Sequence, residues 1–197
     1  MQLLFETHGV EGTNIDTGED VAIKLEHVSI DPSLLGREAD VYRSLSGGAG
    51  ISQVHAYETE CEYNVMMFDL LGQSLKDLFN FCCRKFSLKT VLMLADQLFY
   101  RLEYIHFRGV ILRDIKPENF LMGAKKDGNQ VYVTDLGLAT ERRAAQVKAE
   151  AVRPQNLRLI DTARFASVNG HLGVGKCKIL SPRCSKTNSL LSATSLR

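Results

Sequence analysis

Between Ser87 and His106 the apolar residues Val91, Leu94, Ala95, Leu98, Leu102 and Ile105 recur every three or four positions. A helix over that stretch therefore carries one continuous apolar stripe, which has to be covered by other elements of a folded domain. Upstream, Val21, Ile23 and Leu25 alternate with Ala22, Lys24 and Glu26, the pattern of a strand with two distinct faces. Asp31-Pro32 reads as an N-cap followed by proline at the first helical position, opening a helix over about 33–45. Gly36 inside that helix costs roughly 1 kcal/mol relative to alanine, so the helix leans on packing. Gly47, Gly48 and Gly50 break the chain before two short strands at Ser52–Tyr57 and Tyr63–Phe68. Ser74 caps a short helix. After the long helix, Val110-Ile111, Phe120–Met122 and Val131–Val133 read as short strands, with Asp127-Gly128-Asn129 turning between the last two. Strands and one helix, followed by a mainly helical part with a small sheet at its start, make a two-lobed α+β plan.

Composition excludes several classes. The 197 residues, 45% of them hydrophobic, can build one large core or two small ones, and a net charge of +1 is too small for a dedicated nucleic-acid binder. No apolar run approaches the roughly 20 residues that span a bilayer, and the N-terminus has no secretory pattern. The five cysteines, Cys61, Cys82, Cys83, Cys177 and Cys184, form no C-x-x-C pair and no zinc spacing. Their odd number and the adjacent pair suit reduced thiols in an intracellular protein.

Four polar signals stand in a fixed order. Lys24 ends Val21-Ala22-Ile23-Lys24 on a strand, and Glu38 follows on the next helix. The octapeptide Leu112-Arg113-Asp114-Ile115-Lys116-Pro117-Glu118-Asn119 comes third, and Asp135-Leu136-Gly137 fourth, directly after a Val-Tyr-Val-Thr strand. Taken singly, a strand lysine is usually a solvated charge, a helix glutamate a surface residue, and D-x-G a turn. Together they resemble the phosphate-handling set of protein kinases. The resemblance implies that Lys24 grips the α- and β-phosphates of ATP and Glu38 aims it. Asp114 accepts the proton of the substrate hydroxyl, Lys116 neutralises the moving phosphoryl group, and Asn119 and Asp135 hold Mg2+.

The likeness is closer still to the casein kinase I family of serine/threonine protein kinases. It rests on GEDVAIKLE, LLGQSLKDLFNFCCRKFSLKTVLMLADQL, RDIKPENFLMG and TARFASVNGHLG, over about residues 18–173. Ser167-Val168-Asn169 stands where most kinases carry A-P-E and this family carries S-I-N. Membership implies a bilobal fold in which Asp69 and Leu71 offer hinge backbone groups to adenine. It also implies Phe68 as the gatekeeper, Leu121 as the floor under the ring, and Arg164 as a contact to acidic or phosphorylated substrate residues. The implied reaction moves the ATP γ-phosphate to Ser or Thr downstream of negative charge in protein substrates. The implied setting is cytoplasmic or nuclear, away from membranes and nucleic acid.

Three departures shape the remaining expectations. Residues 1–17 hold only Gly9 and Gly12 and match no G-x-G-x-x-G loop, so the roof over the phosphates is expected to be absent or short. Leu112 and Leu136 replace the catalytic-loop histidine and the D-F-G phenylalanine, which in the family pack on each other in an internal spine. After Gly173 the family continues into further helices, whereas residues 174–197 are Ser- and Lys-rich, lack acidic residues, and read as a disordered extension. The expected organisation is a divergent segment over 1–17, a partial N-lobe over 18–71, a partial C-lobe over 72–173, and a tail. The competing reading is a catalytically impaired, pseudokinase-like binding fragment or a truncated product.

Overall fold

The computed structural model describes residues 8–15 and 17–141. Its N-terminal part is a four-stranded antiparallel sheet of β1 (His8–Thr13), β2 (Asp20–His27), β3 (Val54–Glu60) and β4 (Tyr63–Asp69), in the order β1-β2-β4-β3. Helix α1 (Leu34–Ser44) connects β2 to β3 and buries Leu35, Glu38, Ala39 and Tyr42. The hydrophobic alternation of β2 and the bulky run Val65-Met66-Met67-Phe68 of β4 meet in register, Ile23 opposite Met67 and Lys24 opposite Met66.

The C-terminal part contains α2 (Leu75–Phe81), α3 (Leu88–Phe107), β5 (Val110–Ile111), β6 (Phe120–Met122), β7 (Val131–Val133) and β8 (Thr140–Glu141). Strands β6 and β7 form one hairpin, and β5 pairs with β8. One apolar cluster runs through both parts, from Leu35, Tyr42 and Met66 to Ile105, Leu112, Phe120, Val133 and Leu136. The fold is thus mixed α+β, with an antiparallel sheet followed by helices and small hairpins, as expected.

Three local expectations are corrected. Residues 8–13 lie inside the divergent segment 1–17, for which no strand is expected, yet they form β1, paired with β2 from His8 opposite Leu25 to Thr13 opposite Asp20. Two glycines in six residues hide a strand from any periodicity, and the ladder supplied by β2 decides it. The N-cap of α1 is Ser33 and not Asp31: its hydroxyl accepts the Gly36 N–H at 2.9 Å, while Asp31-Pro32 is a cis peptide outside the helix. Strand β3 begins at Val54 and runs to Glu60, because the paired partner β4 extends it past Tyr57. On the face of β2 that carries Ala22 and Lys24, Glu26 is only 3% exposed.

Helix α3 follows the stripe, with Ser87 as its N-cap. Ile105 is fully buried, and Leu94, Leu98 and Leu102 pack against the core. Val91 is half-exposed, and Leu88, Leu92, Met93, Phe99 and Tyr100 lie on the surface. The end of α3 is pinned to the end of α1: the Tyr104 hydroxyl donates to the Leu45 carbonyl at 3.1 Å and Arg108 Nε to the Ser44 carbonyl at 3.0 Å. Gly48 leaves room for the Tyr104 ring, into which any Cβ would collide. Cys61, Cys82 and Cys83 are free and exposed. Among the described residues no helix is long and apolar enough to cross a membrane.

Candidate active site

Lys24 sits near the middle of β2 with α1 lying across its face of the sheet. Its Nζ donates to Glu38 Oε2 at 2.7 Å and to Asp135 Oδ1 at 3.3 Å. Burial pulls the ammonium toward neutrality, but the two carboxylates outweigh it and raise its pKa, so Lys24 stays charged. Burial pushes the Glu38 carboxyl up, against the opposing pull of Lys24. An ion pair withdrawn from water holds its geometry tightly, since removing either partner strands a buried charge.

Asp135 reaches this pair through an unusual backbone. It lies between β7 and a 3-10 turn over Leu136–Leu138, in the left-handed region at φ 56°, ψ 64°. Aspartate tolerates that region better than most residues. Leu136, 1% exposed, anchors the turn in the core. Gly137 passes so close to Glu38 that a Cβ there would stand 3.2 Å from Oε2, tight enough to move the carboxylate.

The second group gathers on the segment after β5. Lys116 Nζ lies 2.5 Å from Asp114 Oδ2. Asn119, in the 3-10 turn Pro117–Asn119, uses its amide nitrogen to donate to the Asp114 carbonyl at 3.0 Å and to Oδ2 at 3.3 Å. The same residue's carbonyl accepts the Thr134 N–H at 2.9 Å, tying this loop to the residue before Asp135. Asp114, Asn119 and Asp135 consequently line one small cavity. Lys24 joins them through its contact with Asp135, so the two groups form one continuous polar site.

The donor set fits a hard divalent cation. With the Asn119 amide nitrogen engaged by Asp114, its amide oxygen is left as an acceptor, and Asn119 lines the same cavity as Asp135, whose carboxylate is half-exposed. Two such oxygens suit Mg2+, which takes few protein ligands and keeps places for water and phosphate. Among the described residues no group of three or more His, Cys, Asp or Glu could form an all-protein metal cage.

The remaining expected residues are placed as follows. Asp69 closes β4, and its carboxylate accepts the Gln53 N–H at 2.7 Å and contacts His55 Nε2 at 2.9 Å. Leu71 follows in the connection to α2, and no backbone hydrogen bond engages it among the described residues. Leu121 lies on β6 and bridges to Ser74. Phe68 stacks on Tyr42 with ring centroids 6.3 Å apart. Leu112 and Leu136, the two exchanged spine residues, are both buried in the shared core. Arg164, Ser167-Val168-Asn169 and the tail lie outside the described residues.

Some residues of the site were not visible in the sequence. Thr134 acts through its backbone N–H and Glu26 through its side-chain carboxylate, on partners brought near by folding, and neither carries a motif signal. The pair Lys76 Nζ–Glu118 Oε1, at 2.9 Å, links α2 to the loop that carries Asp114. Comparison with known families finds that the one described as "Protein kinase domain" matches residues 8–155.

Proposed function

The chain belongs to the protein kinase family, and from that premise we propose that it is a serine/threonine kinase of casein kinase I type. Family membership carries use of ATP and a divalent metal. The finer assignment rests on the sequence resemblance, and the observation that supports chemistry is the convergence of Lys24, Glu38 and Asp135 with Asp114, Lys116 and Asn119.

In this reading Lys24, fixed by Glu38, meets the α- and β-phosphates. Asp114 orients the incoming Ser or Thr hydroxyl and takes up its proton. Lys116, already within reach of Asp114, follows the charge on the transferred group. A divalent metal, when bound by Asn119 and Asp135, supplies positive charge to the phosphate oxygens. Phosphoryl transfer is loose and highly charged, so aligned cations and an aligned acceptor are the main requirements. Asp69 and Leu71 would present backbone groups to adenine, over Leu121 and beside Phe68. Arg164 would meet an acidic or phosphorylated residue upstream of the target.

The test is Mg2+-dependent transfer from γ-labelled ATP to serine peptides with and without an upstream phosphoserine. Transfer favouring the phosphorylated peptide, and abolished by Asp135→Asn, is the expected result. Equal use of both peptides would remove the casein kinase I assignment while leaving a kinase. A second reading, an impaired binding module, is favoured by the exposed apolar residues of α3, Leu88, Leu92 and Phe99. Absence of any transfer by well-folded protein would select it.

A further inference from the structure

Strand β2 has two faces, and the side opposite Lys24 borders a second cavity. Val21 lines it, together with His55, Asp69, Leu71, Asp127 and Tyr132. Its volume is about 410 Å³, within the range of small-molecule sites. The walls come from both parts of the fold: β2, β3 and the end of β4 on one side, the β6–β7 connection on the other. At its rim Lys125 and Asp20 pair across the gap at 3.3 Å, with Lys125 largely in solvent.

The interior has a definite chemistry. Tyr132 offers a half-buried aromatic ring, and Val21 and Leu71 add apolar wall. The Asp69 carboxylate is held by Gln53 and His55. Asp127 accepts one long bond, from Gln130 Nε2 at 3.4 Å through Oδ1, and no bond to Oδ2 is found among the described residues. Burial, then Asp127, then Asp69 push the Tyr132 phenol up, so both carboxylates lie close enough to act on the phenol end of the ring. The lysines nearby do not cancel this: Lys125 is engaged by Asp20, and Lys126 is exposed.

An aromatic ring, an apolar wall and an under-used carboxylate lining one cavity suit a flat cation, which gains from ring stacking and from a charge-assisted hydrogen bond. We propose that this cavity binds a planar organic cation of amidinium or guanidinium type, stacked on Tyr132 and hydrogen-bonded to Asp127. Because Asp69 and Leu71 border the cavity and are also the expected hinge, an occupant would touch the back of the segment that receives adenine. The site itself does not depend on the kinase reading.

Benzamidine is a suitable probe, with neutral benzamide as its isostere, titrated into the full chain by calorimetry and by two-dimensional NMR. Benzamidine should bind at least tenfold more tightly than benzamide. Its shifts should centre on Val21, His55, Asp127 and Tyr132, and it should persist with a non-hydrolysable ATP analogue present. Asp127→Asn should weaken it about tenfold. Equal binding of benzamide, displacement by the nucleotide, or shifts centred on Lys24 or on the acidic Glu58–Glu62 hairpin would each overturn the proposal. The shift map decides the matter even if the variant fails to fold.

Discussion

The Glu26 carboxylate, on β2, accepts the backbone N–H of Leu35, on α1, at 2.9 Å. It also accepts the Leu34 N–H at 2.8 Å, the Ser33 hydroxyl at 2.6 Å and the Asn64 amide at 3.2 Å. A strand residue thus satisfies the free donors at the start of the helix that carries Glu38, where negative charge is also favoured by the helix dipole. Glu26→Ala leaves those donors without an acceptor and should cost about 2–3 kcal/mol, read as a lowered midpoint in urea unfolding.

The same carboxylate sets a pH dependence. Burial alone would push Glu26 up, but the bonds from Ser33, Leu35, Asn64 and Leu34 outweigh it and hold the pKa below its ordinary value of 4.5. A depressed folded-state pKa contributes stability that is full above the unfolded value and lost as pH falls through the folded one. Stability should therefore decline on acidification below about pH 4.5, and this part of the decline should vanish in Glu26→Gln. An unchanged acid profile in that variant would refute the assignment.

Lys24 and Glu38 are coupled by their 2.7 Å contact. If the site is catalytic, Lys24→Met should lower kcat/KM about 100-fold, the scale seen when one preorganised charged donor is lost. Glu38→Gln keeps the shape but weakens one charge-assisted bond, so a loss of roughly 10-fold is expected. The double variant should lose little more than Lys24→Met alone, because the two side chains act as a unit. Additive losses would argue against that coupling.

Gly50 joins the two parts of the fold: its carbonyl accepts the Val133 N–H at 2.9 Å, at a φ of +73°. A Cβ there would run into the Val131 carbonyl and the Arg101 side chain. Gly50→Ala combines backbone strain with overpacking and should cost about 2–4 kcal/mol. Thermal unfolding would show it, whereas Gly47→Ala, with open space around it at φ +81°, should lose only the backbone share.

The contact from Tyr104 to the Leu45 carbonyl, at 3.1 Å, holds α3 against the loop after α1. Tyr104→Phe keeps the ring over Gly48 and removes the hydroxyl's bond to Leu45 together with its longer contact to the Ser46 carbonyl at 3.5 Å, for about 1 kcal/mol. Hydrogen exchange should then quicken locally at residues 44–48, with α3 itself little changed.

Much of the site was legible because its chemistry is written in contiguous residues. Asp114, Lys116 and Asn119 share one loop, and the order from Lys24 to Asp135 is an order of strands and turns that periodicity can read. Elements with a local signal behaved accordingly: α3 begins at its serine cap and follows its apolar stripe, and α2 begins at its cap Ser74. Where the signal was not local, reading failed. Strand β1 is a strand only because β2 lies beside it, and Ser33 outcompetes Asp31 as cap because Glu26 holds the start of the helix.

Amino-acid order alone therefore determined the elements that carry a local signal and which side chains could handle phosphate, since both follow from spacing along the backbone. The distances that make those side chains one site, Lys24 to Asp135 across 111 positions of chain and Asn119 to Thr134 across 15, came only with packing. Burial then altered what the groups are: Glu26 became a helix cap, and Lys24 a cation locked between two carboxylates, because low-dielectric surroundings allow a charge only where partners meet it.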